Sequence, residues 1–251
     1  MQGRMLIGAL DLEVTAGQCW VVLGPNGAGK SSLLGALAGV FPLAGGELRL
    51  QGRLLRDWPP ADLADRRAWC PQFWIDPFAA TVEETVRLVR DRGAFWPWRP
   101  RAGDDDGEVA RVLDRLELGS LAQADVRPLP GGERQRVAIA TPPLQGAQLP
   151  LLDEPASHLD LAHQQLLVRL LRDTAELGQA VVASLHDLNL AWSLATHALL
   201  LDGRGGVSAG ARDAVMTPAA LGAAFGVSIE RVEVCGEHRF WVGPARMRGK
   251  A

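Results

Sequence analysis

"VVLGPNGAGKSSLLGALAG", residues 21–39, decides the fold. Within it Gly24, Gly29, Lys30 and Ser31 meet the spacing G-x-x-x-x-G-K-S, a loop whose backbone N–H groups cradle phosphates. The flanks agree: "QCWVVL" ahead of it reads as a buried strand and "KSSLLGALAG" after it as a helix. The glycines let the loop wrap tightly, so that N–H groups of residues 27–31 point inward, and the helix adds its positive end. Lys30 is expected to reach the β/γ-phosphates and the Ser31 hydroxyl to ligate Mg²⁺. Lysine usage supports this. Apart from Lys250 in the tail, every other basic side chain of this class is Arg. A chain so biased that keeps one internal Lys has a use for a compact ammonium, which a planar guanidinium does not replace.

Such a loop needs an acid on a neighbouring strand. "QLPLLDEP" is an apolar run ending in Asp153 and Glu154. Asp153 would hold Mg²⁺ through water, and Glu154 would orient or deprotonate the attacking water. "VVASLHDLN" is a second apolar run, ending at His186, where an imidazole can hold the leaving group and water in line. Gln72 in "WCPQFW" follows a short apolar stretch and could touch metal or water. "LPGGERQRVAIA", residues 129–140, starts a charged amphipathic helix with Gly131 and Gly132, a place where N–H groups can meet an anion.

In this order the segments resemble the ABC-type ATPases, and the resemblance covers nearly the whole chain. It rests on the loop at 24–32, Gln72, "LPGGE" at 129–133, "LLDEP" at 151–155, "SHLD" at 157–160 and His186. The "GGERQR" run is the most specific of these, because it separates ABC ATPases from other P-loop proteins. No N-K-x-D run suggests a GTPase. The implied fold is α/β: a P-loop NTPase with an ABC-type ATPase core, an antiparallel β arm and an inserted helical subdomain, in a single ATP-binding domain over 1–251. Its parts are the β arm and P-loop core (1–72), the helical subdomain (73–128), the core with signature, acid strand and histidine loop (129–202), and a C-terminal extension (203–251).

The resemblance also implies partners and site residues. ATP and Mg²⁺ would sit on Gly24, Pro25, Asn26, Gly27, Ala28, Gly29, Lys30, Ser31 and Ser32, with Ser31, Gln72 and Asp153 at the metal and Glu154, His186 and Gln72 catalytic. Two copies would stack head to tail, so that Gly131, Gly132 and Glu133 of one cover the γ-phosphate on the other and Asp160 lies at the dimer seam. One ATP-binding unit without an apolar run of the ~20 residues that a membrane span needs implies an importer arrangement. That arrangement has a separate transmembrane permease, a periplasmic or lipid-anchored substrate-binding protein, and this chain at the cytoplasmic face of the inner membrane. Trp69, Phe73, Trp74 and Phe78, around Gln72, are candidate permease contacts. The short start, the absence of an aromatic before Trp20 and the "TPAALGAAFG" tail resemble the ATP-binding subunits of vitamin B12 importers. Iron-siderophore and haem importers are the alternative; a non-transport ABC ATPase or a catalytically weak relative is a second one.

Composition narrows the partners. Net charge is −3, with both signs spread along the chain and no dense basic stripe, which argues against nucleic acid. No signal peptide is read at the N-terminus. Cys19, Cys70 and Cys235 are scattered without metal spacing, as in a reducing cytoplasm. "GGELRLQGRLLRDW" reads as a hairpin, and residues 1 to about 70 as short strands around the loop. "TVEETVRLVRDRG" and "GEVARVLDRLELGSLA" read as helices separated by the loop "AFWPWRPRAGDDD", and "IERVEV" and "RFWVG" as strands. The prolines run against the family pattern. Pro130 replaces the usual signature serine, although it suits the first turn of a helix. Pro142 and Pro143 predict that the signature helix ends or kinks at about Ala140, and Pro150 removes a ladder hydrogen bond from the strand leading to Asp153.

Overall fold

The computed structural model describes residues 6–73, 79–90 and 106–245. At its centre is β1 (Cys19–Leu23), five buried residues in a row. Such a run suits a parallel strand covered on both faces. Cys19, Val21 and Leu23 enter one core, Trp20 and Val22 the other. The chain leaves β1 through residues 24–29 and enters α1 (Lys30–Leu37). β2 (Arg49–Leu50) and β3 (Arg53–Leu54) form the expected hairpin. Gln51 and Gly52 at its tip have φ of 53° and 76°, as the tight turn that matches strand twist requires.

Two expectations for this region are corrected. Residues 6–18 form no strand; Ile7 makes an isolated bridge to Gly205 and the Gln18 carbonyl accepts the Val181 N–H of β6, so the antiparallel arm consists of β2 and β3 among the described residues. A helix, α2 (Pro60–Arg66), stands where short strands were read, because Pro60 is preset for a helix start. β4 (Arg67–Cys70) follows it.

α3 (Val82–Arg90) opens with a reciprocal cap: the Glu84 N–H donates to the Thr81 hydroxyl and the Thr81 N–H to the Glu84 carboxylate. α4 (Asp106–Arg115) buries Val109, Val112 and Leu113, with Leu116 just beyond its end. The loop between the two helices falls, up to residue 105, outside the described residues. α5 (Gly131–Gln145) leads into β5 (Leu149–Leu152), α6 (Leu161–Glu176), β6 (Val181–Ser184), α7 (Leu188–Leu194) and β7 (His197–Leu201). β8 (Val207–Ala211) and the short α8 (Arg212–Val215) precede α9 (Pro218–Phe225), which is capped by Thr217 and ends at left-handed Gly226. β9 (Val227–Val234) and β10 (Glu237–Ala245) close the described chain as an antiparallel pair. The main sheet has the order β4-β5-β6-β1-β7-β8, parallel except for β8.

The prolines depart from the sequence expectation at one point, the end of α5. α5 does not stop at Ala140; it runs on through Pro142 and Pro143 to Gln145. Pro142 has no N–H for the carbonyl four residues back, which belongs to Ala138. The Thr141 hydroxyl donates to that carbonyl instead, at 2.7 Å, and the Cys70 thiol approaches it at 3.8 Å. Pro150 is buried, but the β5–β6 register starts one residue later, at Leu151 opposite Val182, so the missing donor lies at the start of that ladder. Thr141→Val, which keeps the shape and removes the hydroxyl, is therefore expected to destabilise the protein by about 1–3 kcal/mol, the cost of a buried acceptor that loses its donor. Thr141→Ser should stay close to wild type. Urea denaturation of the three proteins checks this, and equal midpoints for Val and wild type would refute it.

Candidate functional site

The ends of β1, β5 and β6 lie side by side, and the candidate residues follow from their register. Val22 stands opposite Ser184 and Leu152 opposite Ala183, so the residue after β5 meets the last residue of β6. That residue is Asp153. The Ser184 hydroxyl donates to its Oδ1 at 2.6 Å and accepts the Glu154 N–H at 2.8 Å. Ser184 is wholly buried, as is Asp153 but for 3%. Glu154 itself has φ of 50°, a left-handed conformation uncommon for a side-chain-bearing residue. Strained backbone of this kind persists where surroundings over-determine it, and the Ser184 bond is one such constraint.

The Glu154 carboxylate is held from two sides. The Gln72 amide donates to Oε2 at 2.7 Å, and His186 Nε2 lies 2.5 Å from Oε1. Gln72 comes from just beyond the end of β4 and His186 from just beyond β6, so three residues far apart in sequence converge on one group. The carboxylate is mostly buried, while the imidazole is about half exposed.

The loop after β1 fits a nucleotide phosphate. Gly24 has φ of 151°, and a Cβ there would fall 2.6 Å from the Leu201 carbonyl. Gly27 and Gly29 also have positive φ, 76° and 104°. Gly29 caps α1 without any side-chain bond and no acid stands in the first turn, so the leading N–H groups of that helix have no acceptor within it. An anion is their natural partner. One detail departs from expectation: the Ala28 N–H does not point inward but donates to the Pro25 carbonyl at 3.1 Å, closing the loop as a turn. Lys30 is buried, and its ammonium donates to the carbonyls of Gly24 (3.0 Å) and Pro25 (3.4 Å). Burial holds its pKa below the usual lysine value, against the opposing pull of Glu154 and Asp153. The available metal donors are hard oxygens: the Ser31 hydroxyl, the Asp153 carboxylate and the Gln72 amide. Mg²⁺ is bound in this manner, through one or two carboxylates completed by phosphate and water. Among the described residues no group of three or more His, Cys, Asp or Glu could hold an ion without that help.

The signature helix and the "SHLD" segment are packed together. A Cβ on Gly132 would come within 2.9 Å of the His158 carbonyl, so the second glycine is required by packing as well as by any ligand. Glu133 stands in the first turn of α5. Pro130 is the residue before the helix rather than in its first turn; it is exposed, and its carbonyl accepts the Arg134 N–H at 3.0 Å. Asp160 caps α6, accepting the His163 N–H and lying 2.8 Å from His163 Nδ1. Those bonds, the backbone one first, hold its carboxyl below the usual range. Of the aromatic candidates near Gln72, Trp69 packs against the core beside α1 and Phe73 is 73% exposed, whereas Trp74 and Phe78 lie outside the described residues.

Two residues escaped the sequence reading. Ser184 is legible only once β5 and β6 are in register; the signal available was a polar residue ending an otherwise apolar strand. Gln135, buried, donates to the Pro155 carbonyl at 3.0 Å and ties α5 to the turn after Glu154.

With this geometry described, known proteins can be set beside it. The ABC transporter family model matches residues 7–157. The chain belongs to that family. It has the P-loop NTPase fold of an ABC ATPase, a class that couples ATP hydrolysis to transport. Among its relatives, the hemin import ATP-binding protein HmuV of Streptomyces coelicolor is 47% identical over 80% of this chain and 71% of its own length. The protein of the same name from Pseudomonas entomophila is 42% identical over 89% of this chain and 88% of its own. A solved inward-facing ABC transporter assigned to the metal-chelate type superposes with a TM-score of 0.77 at 29% identity, covering 95% of this ABC ATPase and 90% of that chain. No helix among the described residues is long and apolar enough to cross a membrane.

Ser184→Ala should lower kcat about tenfold, ~1.4 kcal/mol in the barrier, with KM for ATP changed by less than threefold, because the hydroxyl holds the acid pair and touches no part of the phosphate loop. Steady-state ATPase kinetics with a check on folding test this. A changed KM with intact kcat would place Ser184 in binding instead.

Proposed function

We propose that the chain is the ATP-hydrolysing subunit of an importer that takes up haem or a closely similar iron porphyrin. The observation that carries the reading is the doubly held Glu154 carboxylate beside an intact phosphate loop, together with relatives named for hemin import at up to 47% identity. The vitamin B12 resemblance gives way here to its iron-chelate and haem alternative, since the relatives' names point to hemin and the transporter neighbour is of metal-chelate type.

In this reading the loop 24–32 holds the phosphates of ATP, and Ser31, Asp153 and Gln72 hold Mg²⁺, which when bound neutralises charge on the phosphate oxygens. Glu154 orients water and accepts its proton. His186 steadies that carboxylate and faces the γ-phosphate. Gln72 joins the metal side to the same carboxylate, so a shift of β4 would change the geometry around the base. Two copies act head to tail, with Gly131, Gly132 and Glu133 of one over the γ-phosphate of the other and Asp160 between them. A membrane permease supplies the path, a substrate-binding protein delivers the cargo, and the chain works at the cytoplasmic face of the inner membrane.

The deciding experiment is pull-down of the tagged chain from its own membranes, followed by uptake in vesicles containing the purified complex. ATP-driven accumulation of hemin is expected, with Glu154→Gln abolishing it while keeping ATP binding and trapping an ATP-bound dimer. Accumulation of cobalamin but not hemin would restore the B12 reading. A second expectation concerns Pro130, which offers neither the hydroxyl nor the N–H of a serine. Pro130→Ser should raise ATP-driven dimerisation and ATPase rate by roughly tenfold if ~1.4 kcal/mol of closure energy returns. Ultracentrifugation and rate measurements on one preparation check it, and unchanged values would show that closure does not limit this site.

A further inference from the structure

The end of α4 is tied to two other helices. Arg136, on the second turn of α5, donates to the carbonyls of Leu116 and Glu117 at 2.8 and 3.0 Å. Arg115 donates to Asp173 on α6. In the third contact, Oε2 of Glu117 lies 3.4 Å from Nε2 of His163, on the first turn of α6. The other ring nitrogen, Nδ1, lies 2.8 Å from Oδ1 of Asp160, the oxygen that also accepts the His163 N–H. One imidazole thus stands between two carboxylates, one from the end of α4 and one from the start of α6.

Helix capping does not account for this imidazole. Asp160 already accepts a backbone N–H, and Asp187 and Thr217 cap α7 and α9 by accepting backbone N–H groups. The His163 side chain is only 18% exposed, and its Nε2 is buried without a hydrogen bond to any described residue. A buried polar atom without a bond is costly, and Glu117 is the partner at hand. The Asp160 and Glu117 side chains are each 66% exposed, so packing does not fix the direction of either carboxylate, and the ring between them can.

We propose that His163 is a positioning residue: it ties Asp160 to Glu117, so that α4, α5 and the start of α6 move together when the chain closes on a second copy. The inference rests on the head-to-tail reading above, which puts Asp160 and the Gly131–Gly132 start of α5 at one seam, and it names the link between them. The link runs from α5 through Arg136 to the Glu117 backbone, from the Glu117 carboxylate to His163, and from His163 to Asp160. The same two segments also meet at Gly132 and the His158 carbonyl. That contact is steric and limits their approach; the imidazole directs the carboxylate.

The test uses the full chain with Mg²⁺ and ATP in the Glu154→Gln background, where hydrolysis does not dissolve the dimer, and reads dimer affinity by ultracentrifugation. His163→Asn keeps a donor near the Nδ1 position and loses the reach to Glu117; His163→Gln keeps the reach and loses the donor to Asp160. Both should weaken the ATP-driven dimer at least fivefold, and so should Glu117→Ala, an exposed change that leaves the core intact. ATP affinity measured on the monomer should stay within twofold. The double variant His163→Asn, Glu117→Ala should lose no more than either single one, as expected of residues that act through one contact. Wild-type dimer affinity in His163→Asn or in Glu117→Ala would reduce the ring to a local brace for the cap and overturn the link, as would fully additive losses in the double variant. If the Glu154→Gln chain stays monomeric with ATP, the head-to-tail reading falls and takes the link with it; a dimer that forms and is weakened only in the variants supports both.

Discussion

The Ser184 hydroxyl, set between the Asp153 carboxylate and the Glu154 N–H, is the contact on which the rest of the site depends. It exists only because β5 and β6 run parallel with Leu152 opposite Ala183. A slip of one residue would turn the apolar set of β6 to the other side of the sheet and remove the serine from the acid pair. Buried Leu151, Leu152, Val181 and Val182 hold that register from both cores. Hydrophobic packing therefore fixes the position of a polar group to within hydrogen-bonding distance, and the polar group in turn fixes a left-handed backbone at Glu154. Gln72 and His186 then need only reach a carboxylate whose place is already set.

Local chemistry was legible in the sequence, and pairing was not. The phosphate loop could be read because its glycines, Lys30 and Ser31 are contiguous and its flanks carry opposite periodicities. The helical faces around Val82, Val86, Val109 and Leu113 were legible for the same reason, and so was the hairpin at Gln51–Gly52. Ser184 and Gln135 act across 31 and 20 residues of chain, on Asp153 and the Pro155 carbonyl, and nothing in their own neighbourhoods announces it. The expectation that α5 ends at about Ala140 failed for a related reason. A helix-breaking cost of about 3 kcal/mol is a property of an isolated helix. Here a hydroxyl one residue before Pro142 meets the carbonyl that the proline leaves without a donor, and burial on both sides keeps the turn together.

Helix starts show how the fold reserves positive charge. α3, α6, α7 and α9 are capped by Thr81, Asp160, Asp187 and Thr217, each accepting backbone N–H groups of its own first turn. α1 begins after Gly29 and α5 after Pro130, and neither residue has a side chain that can accept. Leaving out a cap forgoes about 1 kcal/mol of helix stability. Besides the short α2 and α8, the helices that forgo it include the one bearing Lys30 and the 15-residue helix that begins with Gly131 and Gly132. A serine at position 130 would accept one of those N–H groups for itself when the helix stands alone and would have to share it with a phosphate. The proline cannot compete: it fixes the approach of the chain, leaves the Gly131 and Gly132 N–H groups for an external anion, and gives up only the contacts that a serine would have added. Pro130 is thus compatible with a working signature helix, because what this end offers an anion is the backbone.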